Sequence, residues 1–218
     1  LSALPKDEIM DEIHEQELCI RYLNAALSPL FDDPEKGYFF RWTSTNSMNA
    51  PNSVIGRPDV MISALRGVTF TKNIGFGEMK SMQQCSNNFV ISKDLIRLGL
   101  FSKEAINNYN LKGCLAIQSV GFTTTFYIST LMGDGIYTMI EIGSITVPSA
   151  ISNLGKYLID FDIILNILSI HEQNCKKTVE ESSVFSARKR SASNVLDSHQ
   201  LSSTRDRNRQ CITSHNYH

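Results

Sequence analysis

The chain of 218 residues is 42% hydrophobic and 20% charged, with a net charge of −1, so it can bury the core of a single domain. Its five cysteines are widely scattered and show no CxxC or Cys/His spacing. This pattern argues against a disulfide framework or a structural zinc site and suits a reducing compartment. No stretch reaches the roughly eighteen apolar residues of a membrane span, so no membrane partner is expected.

The first predicted element is a helix over residues 6–27, with Pro5 as a natural entry residue and Pro29 just beyond the predicted end. Apolar residues recur along it at helical spacing: Ile9, Ile13, Ile20, Leu23 and Leu27. Acidic residues fill its first turns, where the helix dipole favours negative charge, and they are expected to form a solvated face.

Three stretches of the first half predict strands, over residues 37–45, 60–65 and 74–80, with a loop rich in Asn, Ser, Pro and Gly at 46–56. Side chains of a strand repeat on one face every second residue, so Glu78 and Lys80 are predicted to point the same way. A short connection between the second and third stretches would make them antiparallel neighbours. Asp59, at the start of the second stretch, would then lie near this charged pair.

Gly75 and Gly77 occupy the opposite face of the third predicted strand. Glycine normally weakens a strand, because it contributes no side chain to the packing. The pair therefore predicts either the close approach of a helix or substrate backbone, or a β-bulge.

A helix is predicted over residues 93–109, with a restart near residues 99–102. Arg97 on this helix is expected to face solvent, with a phosphate contact as the alternative. Three strands then follow, and the last two are joined by a tight turn at Gly133 and Gly135; they are predicted over residues 114–120, 122–131 and 136–147. A largely apolar helix over residues 149–171 completes the domain and places His171 where a positive charge suits the helix dipole.

From Lys176 onward the composition changes to Ser, Arg, Asn and Gln, which predicts a disordered tail over residues 176–218 after a domain over residues 1–175. The domain carries 13 Lys or Arg against 18 Asp or Glu, and the tail carries 8 against 4. Two basic clusters in the tail, at residues 176–177 and 188–190, have the spacing of a bipartite nuclear-import signal. The expected location is intracellular, in the nucleus if these clusters act as a signal and otherwise in the cytoplasm. Because the sequence starts without methionine, a fragment of a longer protein is also expected.

Pro58 and Asp59, followed nineteen residues after Asp59 by Glu78-x-Lys80, resemble the signature of the PD-(D/E)XK nuclease superfamily. The longer stretches RPDVMIS, GFGEMK and DLIRLGLFSKEAI also resemble a set of uncharacterised fungal proteins with this core. The resemblance implies an α/β fold with a restriction-endonuclease-like αβββαβ core, in which a mixed central sheet is flanked by helices. The order of the predicted elements agrees with that core.

The resemblance also implies a chemistry, the metal-dependent hydrolysis of phosphodiester bonds in nucleic acid by an endonuclease or exonuclease. Asp59, Glu78 and the main-chain carbonyl of Met79 would hold Mg²⁺ or Mn²⁺. Lys80 would orient the attacking water and stabilise the charge that develops on phosphorus. Glu12 is the candidate for the further metal ligand that the first helix of the superfamily sometimes supplies.

Two alternatives to a nuclease stay open at this stage. In the first, Glu78 and Lys80 form an ordinary ion pair at a strand end, and Asp59 accepts a hydrogen bond in a turn after Pro58. In the second, the fold is a catalytically inactive module that binds protein or nucleic acid. The acidic balance of residues 1–175 favours this module, since nucleic-acid-binding surfaces are usually basic. The intact set of Asp59, Glu78 and Lys80 favours the enzyme.

Overall fold

A single six-stranded sheet, with strands β1 to β6 side by side in chain order, organises the fold. The structure is a computed structural model and describes residues 4–43, 57–179 and 182–190. The strands are β1 Tyr38–Trp42, β2 Val60–Arg66, β3 Thr69–Lys80, β4 Gly113–Val120, β5 Thr123–Gly133 and β6 Ile136–Thr146. Strands β3 and β4 are parallel, while the other four neighbouring pairs are antiparallel. The predicted α/β class with a mixed sheet is confirmed.

The hairpin of β2 and β3 brings two halves of the predicted signature together. Its turn includes Gly67 at a φ of +63°, a left-handed conformation that glycine adopts without steric cost. Val60 pairs with Gly77 across the hairpin. Asp59, which precedes Val60, therefore lies beside Glu78, which follows Gly77. The predicted antiparallel arrangement of these strands is confirmed.

Side chains of neighbouring strands surround the glycines of β3. A Cβ atom at Gly75 would lie 2.8 Å from Ile62 Cδ1, and one at Gly77 would lie 2.9 Å from Met79 Cε and 3.2 Å from Val60 Cβ. The register of β2 against β3 shifts between Ile62 and Ser63, directly beside the pairing of Ile62 with Gly75, so the predicted irregularity lies next to this glycine. The nearest atoms to both glycines belong to strands, so the predicted approach of a helix is wrong, and the approach of a substrate backbone stays a prediction.

The first helical segment begins later than the sequence predicts. It comprises α1 Glu15–Glu17, a π-helical stretch Leu18–Leu23 and α2 Asn24–Phe31. It therefore continues past Pro29, which lies inside α2. Leu18 and Tyr22 are buried in the main hydrophobic core, whereas Ile20, placed on the apolar stripe by the sequence pattern, is 63% exposed.

Residues preceding α1 bond to a distant part of the chain instead of to each other. The carbonyl of Pro5 accepts from Ile151 N at 2.9 Å, and that of Lys6 accepts from Ser152 N at 3.1 Å. The Glu8 carboxylate accepts from Asn153 Nδ2 at 2.6 Å. The predicted helical start at residue 6 is wrong because these tertiary hydrogen bonds replace the local ones.

Helix α3, Asn88–Tyr109, connects β3 to the parallel strand β4 and lies over the sheet. The side chain of Asn87 accepts from Val90 N at 3.2 Å, which satisfies one of the free amides at the helix start. The helix is continuous, so the predicted restart near residues 99–102 is wrong. Its sheet-facing side includes Phe101, whose ring centroid lies 5.5 Å from that of Phe76 on β3.

The predicted helix over residues 149–171 is divided into three parts: a 3₁₀ turn Ile151–Asn153, α4 Leu154–Ile159 and α5 Phe161–Asn174. The break falls at Asp160, whose carboxylate accepts from Thr146 N at 3.0 Å. Helix α5 packs on the sheet above Gly143, where a Cβ atom would lie 2.7 Å from Ile163 Cγ2. In the described ranges no helix is both long and apolar enough to cross a membrane.

The described part of the predicted disordered tail is ordered against the domain. Lys176 O accepts from Lys112 N, and Thr178 N donates to Asn110 O, each at 2.8 Å. A short helix, α6 Ser182–Arg188, buries Phe185 in the main hydrophobic core. The prediction of disorder from residue 176 is therefore wrong for residues 176–179 and 182–190. The end of the predicted strand 37–45, at residues 44–45, the predicted loop over residues 46–56 and residues 191–218 lie outside the described residues.

Candidate active site

The start of β2 and the end of β3 bring Asp59, Glu78 and Lys80 together. Asp59 N donates to Gly77 O at 2.9 Å, which continues the hairpin ladder by one residue. Asp59 Oδ2 in turn accepts from Met79 N at 2.7 Å. The carboxylate of Asp59 is thus fixed at the strand end that carries the other two predicted residues.

Glu78 is the most deeply buried member of this group, with 1% of its surface exposed. Its Oε2 atom accepts from Arg97 Nη1 at 3.1 Å, whereas Oε1 is buried and has no hydrogen-bond partner among the described residues. Burial, followed by the neighbouring Asp59 carboxylate, raises the pKa of Glu78 to about 9, although Arg97 opposes the shift. A carboxylate with these surroundings requires further positive charge to stay ionised at neutral pH.

Lys80 lies within reach of several acceptors at the same strand end. Its Nζ atom donates to Met79 O at 2.9 Å and lies 3.2 Å from Asp94 Oδ2 and 4.0 Å from Asp59 Oδ2. The contact with Asp94 is an ion pair whose angles do not meet hydrogen-bond geometry. Burial lowers the pKa of Lys80, but the surrounding carboxylates, first Asp94 and then Asp59, raise it by more. Lys80 therefore acts as a fixed cation and is not suited to accept a proton.

Helix α3 contributes two charged residues that were not predicted as part of the site. Asp94 is buried, and its Oδ1 atom lies 3.2 Å from Arg97 Nη1. Arg97 also donates from Nη2 to Arg57 O at 2.7 Å, so the expectation that it faces solvent is wrong. The only signal in the sequence was the spacing of Asp94 and Arg97, which places them on one face of a helix.

Gln118 on β4 fixes the position of α3 relative to the site. In the parallel register it pairs with Glu78, and its Nε2 atom donates to Ile91 O at 2.8 Å. This partly buried hydrogen bond joins the first turn of α3 to the middle of the sheet. It therefore helps to place Asp94 and Arg97 over β3.

Glu15, rather than Glu12, is the acid of the first helical segment that lies near the site. Glu12 is exposed, and its carboxylate lies 3.9 Å from His14 Nδ1. The pKa of Glu15 is raised, first by desolvation, while Lys80 opposes the shift and Asp59 adds to it. The prediction of Glu12 as a metal ligand assumed a helix that begins at residue 6. Because the helix begins at Glu15, it is Glu15 that lies near the site.

The donor atoms present fit a hard divalent cation in part. Asp59 and Glu78 supply neighbouring carboxylates, and Glu78 Oε1 is a buried acceptor without a hydrogen bond in the described part of the chain. The carbonyl of Met79 accepts from Lys80. No group of three His, Cys, Asp or Glu side chains in the described ranges is placed to hold a metal ion. Since Mg²⁺ keeps several waters and commonly uses one or two carboxylates, two acids and a carbonyl are a sufficient donor set.

Comparisons with known proteins assign neither a family nor a function. No family model matches the chain, no curated protein matches its sequence, and no solved structure matches it. The site presents two neighbouring carboxylates, a fixed ammonium group and a partly buried guanidinium group.

Proposed function

We propose that this protein is a metal-dependent nuclease with a restriction-endonuclease-like αβββαβ core, and that Asp59, Glu78 and Lys80 form its active site. The observation that carries the proposal is the pairing of a buried carboxylate, Glu78, with a second carboxylate, Asp59, at a strand end where one oxygen has no partner among the described residues. An ordinary ion pair at a strand end would face solvent and would not require this burial. The order of helices and strands up to β4 agrees with the proposed core.

Asp59 and Glu78, together with Met79 O, would hold Mg²⁺ or Mn²⁺. The bound metal would activate a water molecule and polarise a phosphate oxygen. Lys80, held by Met79 O and by Asp94, would place its ammonium group beside the attacked phosphate and stabilise negative charge there. Because its pKa is raised, Lys80 would perform this role as a cation at neutral pH.

Asp94 and Arg97 would act as positioning residues. Asp94 contacts both Lys80 and Arg97, while Arg97 joins Asp94 to Glu78. The Arg97 guanidinium offsets part of the negative charge that the carboxylates concentrate in a buried position. The cluster would therefore stay assembled before metal and substrate bind.

A binding module without turnover is the second candidate, and a basic cavity favours it. This cavity of about 500 Å³ lies at the opposite end of β3 and includes the cationic side chains of Lys36, Arg66, Lys72 and Lys177. Burial, followed by the nearby charge of Lys177, lowers the pKa of Lys72. Lys72 and Glu78 are six positions apart on β3, which corresponds to about 20 Å along the strand. A phosphate group bound here would therefore be remote from the proposed active site.

The test uses the full chain, because residues 176–179 and 182–190 pack on the domain. Mg²⁺ and Mn²⁺ are titrated by calorimetry, and cleavage of plasmid DNA and of a single-stranded RNA is followed in the same samples. Glu78→Gln is expected to lose both metal binding and cleavage, whereas Lys80→Met is expected to lose cleavage and retain binding. Glu141→Gln, a change at an exposed acid on β6, is the matched control and should alter neither.

Each outcome of this experiment separates the two candidates. A folded wild-type chain that binds neither metal would overturn the nuclease proposal. Metal binding without cleavage of either nucleic acid would favour the module. In that case nucleic-acid binding that is weakened by Lys72→Gln, but not by Glu78→Gln, would identify the basic cavity as its binding site.

A further inference from the structure

A second cavity, separate from the proposed active site, lies between α3 and the strands β5 and β6. Its volume is about 240 Å³. Its walls are mostly apolar and include Ile96 and Leu100 of α3 and Met139 of β6. Tyr137 also lines it, with its hydroxyl group donating to Asn107 Oδ1 at 2.5 Å. The cavity is thus bounded by ordered elements on both sides.

Two buried polar side chains that line this cavity have unused hydrogen-bonding groups. Lys103 is 5% exposed and Ser129 is 3% exposed. Neither Lys103 Nζ nor Ser129 Oγ has a hydrogen-bond partner among the described residues. The contact that the structure gives the ammonium group is with the ring of Tyr137, whose centroid lies 5.2 Å away.

An ammonium group in this position is costly for a protein to keep. Transferring an unpaired charge from water to an apolar interior costs several kcal/mol even after the surroundings relax. A cation–π contact offsets roughly 0.5–2 kcal/mol of such a cost. An anion that enters the cavity would satisfy Lys103 directly, and Ser129 could donate a second hydrogen bond to it.

We propose that this cavity binds a small molecule with one carboxylate group and an apolar body. The carboxylate would accept from Lys103 Nζ and Ser129 Oγ, and the body would pack against Ile96, Leu100 and Met139. A single ammonium group with one hydroxyl matches a monoanion, whereas phosphate sites usually offer more donors or a bidentate Arg. The volume corresponds to about eight water-sized groups, the size of a six-carbon acid.

This ligand site is independent of the proposed nuclease activity. Lys103 lies six residues beyond Arg97 on α3, which is about 9 Å along the helix axis. Neither Asp59, Glu78 nor Lys80 lines the cavity. Binding to it can therefore be measured without metal, and its failure would say nothing against the active site.

The experiment titrates the full chain with sodium hexanoate and sodium benzoate and follows binding by calorimetry and by amide chemical shifts. Hexanamide and hexyl phosphate serve as probes that keep the apolar body and change the head group. At least one of the two carboxylates is expected to bind, and hexanamide and hexyl phosphate are each expected to bind at least about ten-fold more weakly than the tighter carboxylate. Shifts should appear for residues of α3 and β6 around Lys103.

Lys103→Met keeps the apolar stem and removes the charge, so it should weaken carboxylate binding by at least about ten-fold. Lys112→Met, a change at an exposed lysine, is the matched control and should bind as the wild type does. If Lys103→Met does not fold, Ser129→Ala supplies the comparison, with an expected loss of at least about three-fold. The proposal is overturned if neither carboxylate binds the folded wild-type chain, or if hexanamide or a folded Lys103→Met variant binds equally well.

Discussion

Arg97 Nη1 lies 3.1 Å from Glu78 Oε2, so a guanidinium group on the crossover helix meets the carboxylate at the centre of the predicted signature. The same nitrogen lies 3.2 Å from Asp94 Oδ1. Helix α3 and strand β3 are therefore joined by charge as well as by apolar packing. Such pairs contribute little when both partners are exposed, but removing one partner of a buried pair leaves an uncompensated charge.

Replacement of Arg97 by Gln should lower the free energy of unfolding by about 2–3 kcal/mol, chiefly because it leaves the buried carboxylate of Asp94 without its guanidinium partner. The loss is below that of a fully buried pair, because Lys80 still faces Asp94 and Arg97 is partly exposed. Arg21→Gln removes an exposed pair of the same kind, in which Arg21 Nε lies 3.0 Å from Glu17 Oε1, and should cost less than about 1 kcal/mol. Urea unfolding measures both changes. Equal losses in the two variants would show that burial does not matter here.

Two glycine substitutions are expected to change the free energy of unfolding in opposite directions. Gly77→Ala should destabilise by about 1–3 kcal/mol, since its Cβ atom would lie 2.9 Å from Met79 Cε and 3.2 Å from Val60 Cβ. Gly99→Ala, inside α3, meets nothing within 4 Å and should stabilise by about 0.5–1 kcal/mol through helix propensity. Thermal and urea unfolding of the two variants give the comparison. A neutral Gly77→Ala would contradict the tight packing of β2 against β3.

The elements that the sequence predicted best are those whose signals are local. Alternating apolar residues and a glycine turn define β5 and β6, and the hairpin of β2 and β3 follows from two apolar runs joined by a short connection. Strand periodicity and the short hairpin connection predict that Asp59, Glu78 and Lys80 lie close together, whereas their proposed roles come from the resemblance to the nuclease signature. The contacts of Asp94 and Arg97 with these residues could not be predicted, because neither the helical nor the strand pattern determines how a helix packs over a sheet.

The errors at the two ends of the chain have one physical cause. Residues 5–8 have acids suited to a helix start, yet the carbonyls of Pro5 and Lys6 accept from Ile151 N and Ser152 N, and the Glu8 carboxylate accepts from the side chain of Asn153. The segment after Lys176 is polar, yet a short helix docks on the domain through the buried ring of Phe185 and through hydrogen bonds from Arg188 to Leu131 O and from Lys189 to Asn107 O. In both places tertiary contacts override a local preference.

The docking of α6 predicts protection of its amides from hydrogen exchange. Phe185→Ala removes the buried anchor and should accelerate exchange of residues 182–188 by at least about ten-fold, with little effect on β3 or β4, because α6 can open locally. Val184→Ala changes an exposed neighbour and should leave exchange unaltered. Exchange is followed by mass spectrometry on the full chain. Complete exchange of this segment in the wild type at the earliest time would support the disorder that its composition predicts.

His171 should make the folded state sensitive to mild acid. The sequence placed it where a charged imidazole suits the helix dipole, but its ring packs edge-on to Phe31 at a centroid distance of 5.5 Å. Burial lowers the pKa of His171 from 6.5 to about 4, with Glu172 opposing the shift. Between these values His171 binds a proton in the unfolded chain but not in the folded chain, so its contribution to stability is lost as pH drops below about 6.5 and is retained above it.

His171 is expected to contribute a loss of about 2 kcal/mol between pH 7.5 and pH 5, measured by urea unfolding of the wild type and of His171→Leu at both values. The loss is read as the difference between the two chains, because Glu78, whose pKa is raised, changes stability with pH in the opposite direction in both of them. His171→Leu should lack the loss that His171 contributes, even if stability at pH 7.5 changes through altered packing. His14→Asn, at an exposed histidine, should leave the difference as it is in the wild type. If His171→Leu keeps the full difference between the two pH values, other groups carry the acid sensitivity and His171 is not held neutral by burial.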